Sequence, residues 1–268
     1  MVAALVAVVA ASRVAVPSSS MPHFGVILAA AGQSSRFEDP NYKKPFAPLA
    51  GRPVWLHSAE KFSDRPDVKQ VVVVVAPADR AAFVEKFGAS LAFMGITLAE
   101  GGSHRAESVR RGLEKFSADI DMVAIHDAAR PCLATAWIDR VFEAGVKTGA
   151  AILAIPVVGT LKRVTADGII TETVDRTGLW EAQTPQVFSR DVLTRAFAHA
   201  AARGSQPTDE AQLVEAIGQQ VTVVPGSPIN LKITSREDLR LAEQAMKALP
   251  ANRLAGPAHP FANDDMWR

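Results

Sequence analysis

The sequence has little cysteine, little net charge and no apolar run long enough to cross a membrane. Cys132 is the only cysteine among 268 residues, which excludes an intrachain disulfide and a metal site made of cysteines alone. The formal net charge is +1, from 29 basic and 28 acidic residues, so the composition does not point to a nucleic-acid or membrane surface. We therefore expect a cytoplasmic protein with no nucleic-acid or membrane partner, in which any anion site is local.

The sequence also lacks the short motifs of several enzyme classes. The turn after the first apolar run has neither the G-x-G-x-x-G spacing of dinucleotide-binding folds nor the G-K-[ST] ending of a P-loop, which disfavours an NAD-dependent oxidoreductase. No Ser-His-Asp or Cys-His spacing points to covalent catalysis, and the H-x-E and C-x-x-C pairs of a zinc site are missing. Any reaction would therefore rely on charge, positioning and a bound ion.

The first twenty residues form a separate segment. Its apolar stretch, Val2–Ala11, is shorter than the roughly 20 residues that a membrane-spanning helix needs. The stretch has the length of a signal-peptide core, but no basic residue precedes it and Arg13 follows it. We predict that the functional chain begins near Met21 and that residues 1–20 are a disordered leader or a misassigned start. Residues 250–268 are predicted to be an irregular tail.

Residues 21–249 are predicted to form a single α/β domain. Apolar runs typical of buried strands alternate with segments in which apolar residues recur at helical spacing. The predicted strands cover 24–30, 71–76, 95–100, 122–127, 151–158 and 221–226, and the predicted helices cover 54–62, 78–88, 105–117, 135–148, 189–203, 209–218 and 235–249. This alternation implies right-handed crossovers and a doubly wound, mostly parallel sheet.

The alternation is interrupted between residues 157 and 178. Two short runs of alternating polarity, LKRV and IITETV, flank the turn sequence TADG. We therefore predict a β-hairpin with one solvated face. Such a hairpin is either an edge decoration or an arm that reaches toward a partner subunit.

Residues suited to binding phosphate and a metal ion follow several predicted strands, and ligands bind at the carboxyl ends of strands in such sheets. LAAAGQSSR offers small side chains, exposed amides and Arg36, and GGSHR offers a flexible backbone before a helix. Asp127 ends the fourth strand, where a carboxylate suits Mg²⁺. Taken alone, each has a simpler explanation as a turn with surface cations, a glycine-rich loop or a helix N-cap, and His126 is predicted to be a packed strand-end histidine. Together they favour phosphoryl or nucleotidyl transfer.

Seven motifs, in order, resemble those of one known family. They are AAAGQSSRF, KKPFAPLAGRPV, GGSHRAESVRRGL, HDAARP, TVDRTGLWEAQTPQVF, TDEA and NLKIT. From about His23 to Leu249 the chain resembles the 2-C-methyl-D-erythritol 4-phosphate cytidylyltransferases, the CTP-using enzymes of non-mevalonate isoprenoid synthesis. The resemblance implies a Rossmann-like nucleotidyltransferase fold, transfer of CMP from CTP to the polyol phosphate, a divalent cation such as Mg²⁺, and a homodimer joined through the hairpin arm.

The resemblance also implies roles for individual residues. The catalytic residues would be Arg36, Lys44, Arg176 and Lys232, and the nucleotide would bind Ala30, Ala31, Gly32, Gly101, Gly102 and Ser108. The polyol phosphate would bind Asp127, Arg130, Thr160, Arg176, Thr184 and Thr208, with Thr160 and Arg176 supplied by the neighbouring subunit. Asp127 would also ligate the metal ion. The attacking phosphate monoester has a second pKa of about 6 and is largely ionised at neutral pH, so no general base is required.

The sequence departs from the family pattern in three places. Ser34 stands where the first loop usually has a second glycine, and Ser103 stands where an acidic residue often follows the Gly-Gly pair. One additional residue after Arg36 leaves open whether Lys43 or Lys44 is the catalytic lysine. The alternative functions are a cytidylyltransferase for another polyol phosphate such as ribitol 5-phosphate, the transferase part of a bifunctional enzyme, and a non-catalytic nucleotide-binding protein.

Overall fold

The structure is a computed structural model that describes residues 22–32, 37, 43–205 and 207–250. The predicted leader and residues 251–268 of the predicted tail lie outside the described residues. Ser34 and Arg36 also lie outside them, so their predicted roles are not placed by the structure.

A seven-stranded sheet forms the centre of the described chain. The strands, in chain order, are β1 (Phe24–Ala29), β2 (Pro48–Leu49), β3 (Arg52–Pro53), β4 (Val68–Val75), β5 (Thr97–Glu100), β6 (Met122–Asp127), β7 (Ala150–Pro156), β8 (Leu161–Val164), β9 (Ile170–Val174), β10 (Trp180–Ser189) and β11 (Thr222–Pro225). The main sheet has the order β11-β7-β10-β6-β1-β4-β5. Within this sheet β10 pairs antiparallel with both of its neighbours, and the other pairs are parallel. The predicted mostly parallel sheet is confirmed.

Helices cover both faces of this sheet. They are α1 (Val54–Ser63), α2 (Arg80–Phe93), α3 (Arg105–Leu113), α4 (Thr135–Thr148), α5 (Arg190–Arg203), α6 (Glu210–Glu215) and α7 (Glu237–Lys247). Within β4, Val71, Val73 and Val75 pack in the cluster that holds α1, α2 and α4, whereas Val72 and Val74 pack in the cluster that holds α3, α5 and α6. Because successive strand residues point to opposite faces, the unbroken valine run covers both layers, as a doubly wound fold requires.

Three helix ends differ from the predicted ones by three residues or more. The helix predicted over 105–117 ends at Leu113, and the helix predicted over 209–218 ends at Glu215, whereas α2 continues to Phe93. Phe116 instead turns toward the sheet, where its ring is so close that a Cβ on Gly25 would lie 2.7 Å from it. No helix among the described residues is long and apolar enough to cross a membrane.

The central antiparallel strand β10 was not predicted from the sequence. Its segment EAQTPQVF contains Pro185, and proline disfavours a central strand because it cannot donate a ladder hydrogen bond. In the structure the pairing of β10 with β7 shifts register between Ala182 and Gln186, so Pro185 lies where the ladder is interrupted. The strand therefore accommodates the proline at an irregularity that the residue pattern does not reveal.

The predicted hairpin is confirmed as β8 and β9, which form a separate two-stranded antiparallel sheet. Its turn includes Gly168 at φ 84°, a backbone conformation that glycine adopts readily. The arm exposes large apolar side chains, including Val158, Ile169 and Ile170. It therefore projects from the main sheet with an apolar surface exposed in the single chain.

Candidate active site

A cleft of about 490 Å³ lies at the carboxyl ends of the central strands. Its walls come from the end of β1 and the turn after it (29–32), the loop after β5 (102–105), and the end of β6. The remaining lining residues are Lys44, Pro45, Ser108, Asp127, Ala129, Pro207 and Lys232. The polar residues that follow separate strands in the sequence therefore meet at one edge of the sheet, as the prediction required.

Small side chains let two of these walls approach each other closely. A Cβ on Gly101 would lie 2.7 Å from both the Ala31 Cβ and the Ser108 Oγ. The Ser108 hydroxyl accepts a 3.0 Å hydrogen bond from the Gly102 amide and donates to the His104 carbonyl. The glycine loop is thus packed against the first loop and tied to the start of α3.

A carboxylate also holds the glycine loop, although Ser103 replaces the expected acidic residue. Glu107 reaches back to accept hydrogen bonds from the Ser103 amide at 2.8 Å and the Ser103 hydroxyl at 3.0 Å. The Ser103 amide is the main cause that lowers the pKa of Glu107 to about 2, and the hydrogen bond from Arg111 adds to it. An ionised carboxylate therefore holds this loop, and it belongs to Glu107, four residues after Ser103.

Asp127 lies at the floor of the cleft with three cations around its carboxylate. The Lys232 Nζ lies 2.7 Å from it, Arg105 3.2 Å and the Arg130 Nε 3.7 Å. Burial alone would raise the pKa of Asp127, but Arg105, Lys232 and Arg130 together hold it well below its usual range. No helix begins beside Asp127 among the described residues, so the helix N-cap explanation is excluded and the carboxylate is an ionised cleft residue.

Arg105 and Glu210 were not assigned from the sequence. The Arg105 guanidinium pairs with both carboxylate oxygens of Glu210 and reaches Asp127 with its other nitrogen. Burial alone would lower the pKa of Arg105, but Glu210 and Asp127 raise it above its ordinary value. Burial raises the pKa of Glu210, against the opposing effect of Arg105. Their only sequence signal is that both lie in motifs, GGSHRAESVRRGL and TDEA, that resemble those of the family named above.

A buried hydrogen-bond chain lies behind Asp127. The Asp127 amide donates to the Thr184 Oγ1 at 3.1 Å, the His126 Nδ1 lies 3.0 Å from that oxygen, and the His126 Nε2 lies 3.0 Å from the Arg130 carbonyl. Burial lowers the pKa of His126 to about 4, so the ring is neutral near pH 7. A carbonyl can only accept, so Nε2 carries the proton, Nδ1 accepts, and the Thr184 hydroxyl donates. The prediction that His126 is a packed histidine is confirmed.

Two predicted substrate residues belong to this buried layer and do not line the cleft. The Arg130 side chain is 8% exposed and donates a 2.7 Å hydrogen bond to the Asn230 carbonyl. The Thr184 hydroxyl donates its hydrogen to the His126 Nδ1. In the single chain both residues contact Asp127 on its buried side: Thr184 accepts from its amide, and Arg130 lies beside its carboxylate.

The two adjacent lysines point to different partners. Lys44 lines the cleft, whereas the Lys43 Nζ pairs with the Asp79 carboxylate at 2.7 Å and does not line it. Of the two lysines, the structure therefore places Lys44 at the cleft.

The remaining predicted residues lie outside the cleft of this chain. Thr160 and Arg176 are exposed on the hairpin arm, and Arg176 donates to the Val158 carbonyl. Thr208 follows Pro207 at the cleft wall, and its amide and hydroxyl both donate to the Gln212 side chain. The structure therefore brings together the nucleotide-loop residues, Lys44, Asp127 and Lys232, but not the two arm residues.

Comparison with known proteins gives concordant matches. The family model described as "IspD: 2-C-methyl-D-erythritol 4-phosphate cytidylyltransferase" matches residues 24–248. The 2-C-methyl-D-erythritol 4-phosphate cytidylyltransferase of Rhodopirellula baltica is 46% identical over 229 residues, covering 81% of this chain and 92% of the relative. The protein of the same name from Acidobacterium capsulatum is 43% identical over 229 residues, covering 81% and 94%. The crystal structure of the Thermus thermophilus protein of that name superposes with a TM-score of 0.69 at 31% identity, covering 85% of this chain and 100% of that one.

Proposed function

The chain belongs to the 2-C-methyl-D-erythritol 4-phosphate cytidylyltransferase family, and we propose that the cleft around Asp127 is where its reaction takes place. The protein is a nucleotidyltransferase that transfers CMP from CTP to 2-C-methyl-D-erythritol 4-phosphate and releases pyrophosphate. One observation supports placing the reaction there. Three cations surround the ionised carboxylate of Asp127 at the floor of a cleft whose walls include alanine and glycine residues.

The nucleotide would lie along the two closely packed loops. Their small side chains would leave room for the base and triphosphate, and the residues concerned are Ala30, Ala31, Gly32, Gly101, Gly102 and Ser108. Lys44 and Lys232 line the same cleft, so they would hold the triphosphate, together with Arg36 outside the described residues. A substrate phosphate oxygen would attack the α-phosphorus, and the bond to the β-phosphate oxygen would break in line. Fixed cations favour this step because they offset the charge that accumulates at the α-phosphate.

Asp127 is the residue suited to a divalent cation. No three His, Cys, Asp or Glu side chains form a metal-binding group among the described residues, so the protein offers no complete ligand cage there. Mg²⁺ commonly binds through one or two carboxylates and substrate phosphates, and the ionised Asp127 at the cleft floor fits that donor set. When bound, the ion would polarise phosphate oxygens and offset their charge.

The polyol phosphate would be held by residues of two subunits. Thr208 lies beside the cleft wall, and Arg130 and Thr184 lie directly behind Asp127, so all three are proposed to position this substrate. Thr160 and Arg176 lie on an arm that does not line its own cleft, which supports a homodimer in which they reach the partner's cleft. The exposed apolar side chains of the arm supply a surface for that contact, with Val158 82% exposed.

Pyrophosphate release from CTP and 2-C-methyl-D-erythritol 4-phosphate, with and without Mg²⁺, tests the proposal. Lys44→Ala and Lys232→Ala should each lower kcat about 100- to 1,000-fold, because each removes a preorganised charge contact. Lys147→Ala, which removes an exposed lysine of α4, is the matched control and should retain wild-type activity. Unchanged activity in both cleft variants would contradict the assigned site. Activity with ribitol 5-phosphate alone would instead identify a different polyol phosphate as the substrate.

A further inference from the structure

An ion pair between Arg105 and Glu210 joins two walls of the cleft that are 105 positions apart in the sequence. Arg105 begins α3 after the glycine loop, and Glu210 begins α6 directly after Thr208 and Asp209. We propose that Glu210 is a positioning residue: it fixes the Arg105 guanidinium beside Asp127, so that Arg105 directs its remaining N–H donors to a substrate phosphate. This proposal rests on the proposed function of the cleft.

Glu210 acts through Arg105 because it has no access to a ligand of its own. Its side chain is 1% exposed, and Arg105 is the only cation within ion-pairing distance of it among the described residues. A buried carboxylate without a cationic partner is strongly unfavourable, so the pair is a fixed part of the structure.

The start of α6 is held in place independently of Arg105. The Gln186 side chain of β10 donates to the Asp209 carboxylate at 2.9 Å and accepts from the Ala211 amide at 3.1 Å. These two bonds hold the Asp209 side chain and the Ala211 backbone amide, on either side of Glu210. The carboxylate therefore gives the guanidinium a rigid reference point on the central sheet.

Arg105 keeps a ligand-facing side. Its side chain is 27% exposed and lines the cleft, and it contacts Asp127 at 3.2 Å, a longer distance than the 2.7 Å of Lys232. Without the charge of Glu210, Arg105 would have only Asp127 as a described anionic partner, in competition with Lys232. Arg105 would then move toward Asp127, and its donors would no longer point to the substrate.

Kinetics of Glu210→Gln distinguish positioning from a simple change of charge. Removing a negative charge makes the cleft more positive, so charge alone would lower KM for the anionic substrates. Loss of positioning should instead lower kcat about 10- to 100-fold with little change in KM, since small misplacements of aligned groups cost this much. Glu215→Gln, an exposed change of the same kind on the same helix, should behave as wild type.

A double-variant cycle tests whether Glu210 acts through Arg105. Glu210→Gln should have no further effect on kcat in an Arg105→Ala background; additive losses would overturn the proposal, as would a wild-type kcat for Glu210→Gln. Should Glu210→Gln fail to fold, Arg105→Lys keeps a cation for Glu210 but lacks the second nitrogen that reaches Asp127. It should show the same fall in kcat, and a wild-type kcat would overturn the positioning role. An inactive wild type would overturn the proposed function as well, whereas an active wild type with unaffected variants overturns only this inference.

Discussion

Lowering the pH from 7 to 4 should destabilise the folded protein by about 3 kcal/mol through His126 alone. The ring is fully buried, and burial lowers its pKa from 6.5 to about 4. The unfolded chain therefore takes up a proton between pH 6.5 and 4 that the folded chain does not. The stability that the neutral, buried His126 gives the folded protein is fully present above pH 6.5 and is lost as the pH falls to about 4. At 1.36 kcal/mol per pKa unit, a shift of this size gives a loss of about 3 kcal/mol.

Urea unfolding of the wild type and of His126→Gln, from pH 7 to pH 4, measures this loss. At pH 7, the difference in unfolding free energy between the wild type and His126→Gln gives the cost of replacing the packed, hydrogen-bonded ring. All other titrating groups contribute equally to both proteins, so the change in that difference with pH reports His126. We expect the wild-type advantage to shrink by about 3 kcal/mol at pH 4. A difference that is independent of pH would refute both the neutral ring and the hydrogen-bond directions derived from it.

Two further predictions follow from close packing. Gly101→Ala places a Cβ 2.7 Å from both Ala31 and Ser108. In urea unfolding it should destabilise the protein by about 1–3 kcal/mol. In steady-state kinetics it should raise KM for CTP. Gly88→Ala, whose Cβ would have no neighbour nearer than 3.8 Å, is the control and should be at least as stable as wild type. Burial raises the pKa of Cys132 to about 11, so a thiol reagent at pH 8 should react with this cysteine only after unfolding. Rapid reaction of the native protein would contradict that burial.

The residue pattern predicted most of the sheet because local and long-range preferences agree there. β6 begins and ends where the apolar run MVAIHD does, and β4 contains the predicted valine run with three additional residues before it. β10 was missed because Pro185 opposes a strand locally, while pairing on both sides with β6 and β7 holds the segment extended. Tertiary pairing of this kind outweighs the local preference and leaves no periodic signal in the sequence.

The site was predictable to the extent that it follows from strand ends. Asp127 was expected at this edge from its strand end, and the family resemblance gave Lys232 a role in the same site. The structure places their charged groups 2.7 Å apart. The pairing of Arg105 with Glu210 was not predictable, because a charge pair between distant segments depends on how α3 and α6 pack. The separate orientations of Lys43 and Lys44 likewise depend on Asp79, which no local pattern connects to them.

The cluster around Asp127 would prepare the proposed cleft for polyphosphate already in the single chain. Lys232 and Arg105 are already held near the floor by this carboxylate, so a phosphate that binds there does not have to order two long, mobile side chains. Within the group formed by these three cations and the carboxylates of Asp127 and Glu210, one positive charge is in excess. Preorganised, incompletely neutralised cations are what a reaction between two anions requires, because the environment does not need to rearrange as charge builds up on the α-phosphate.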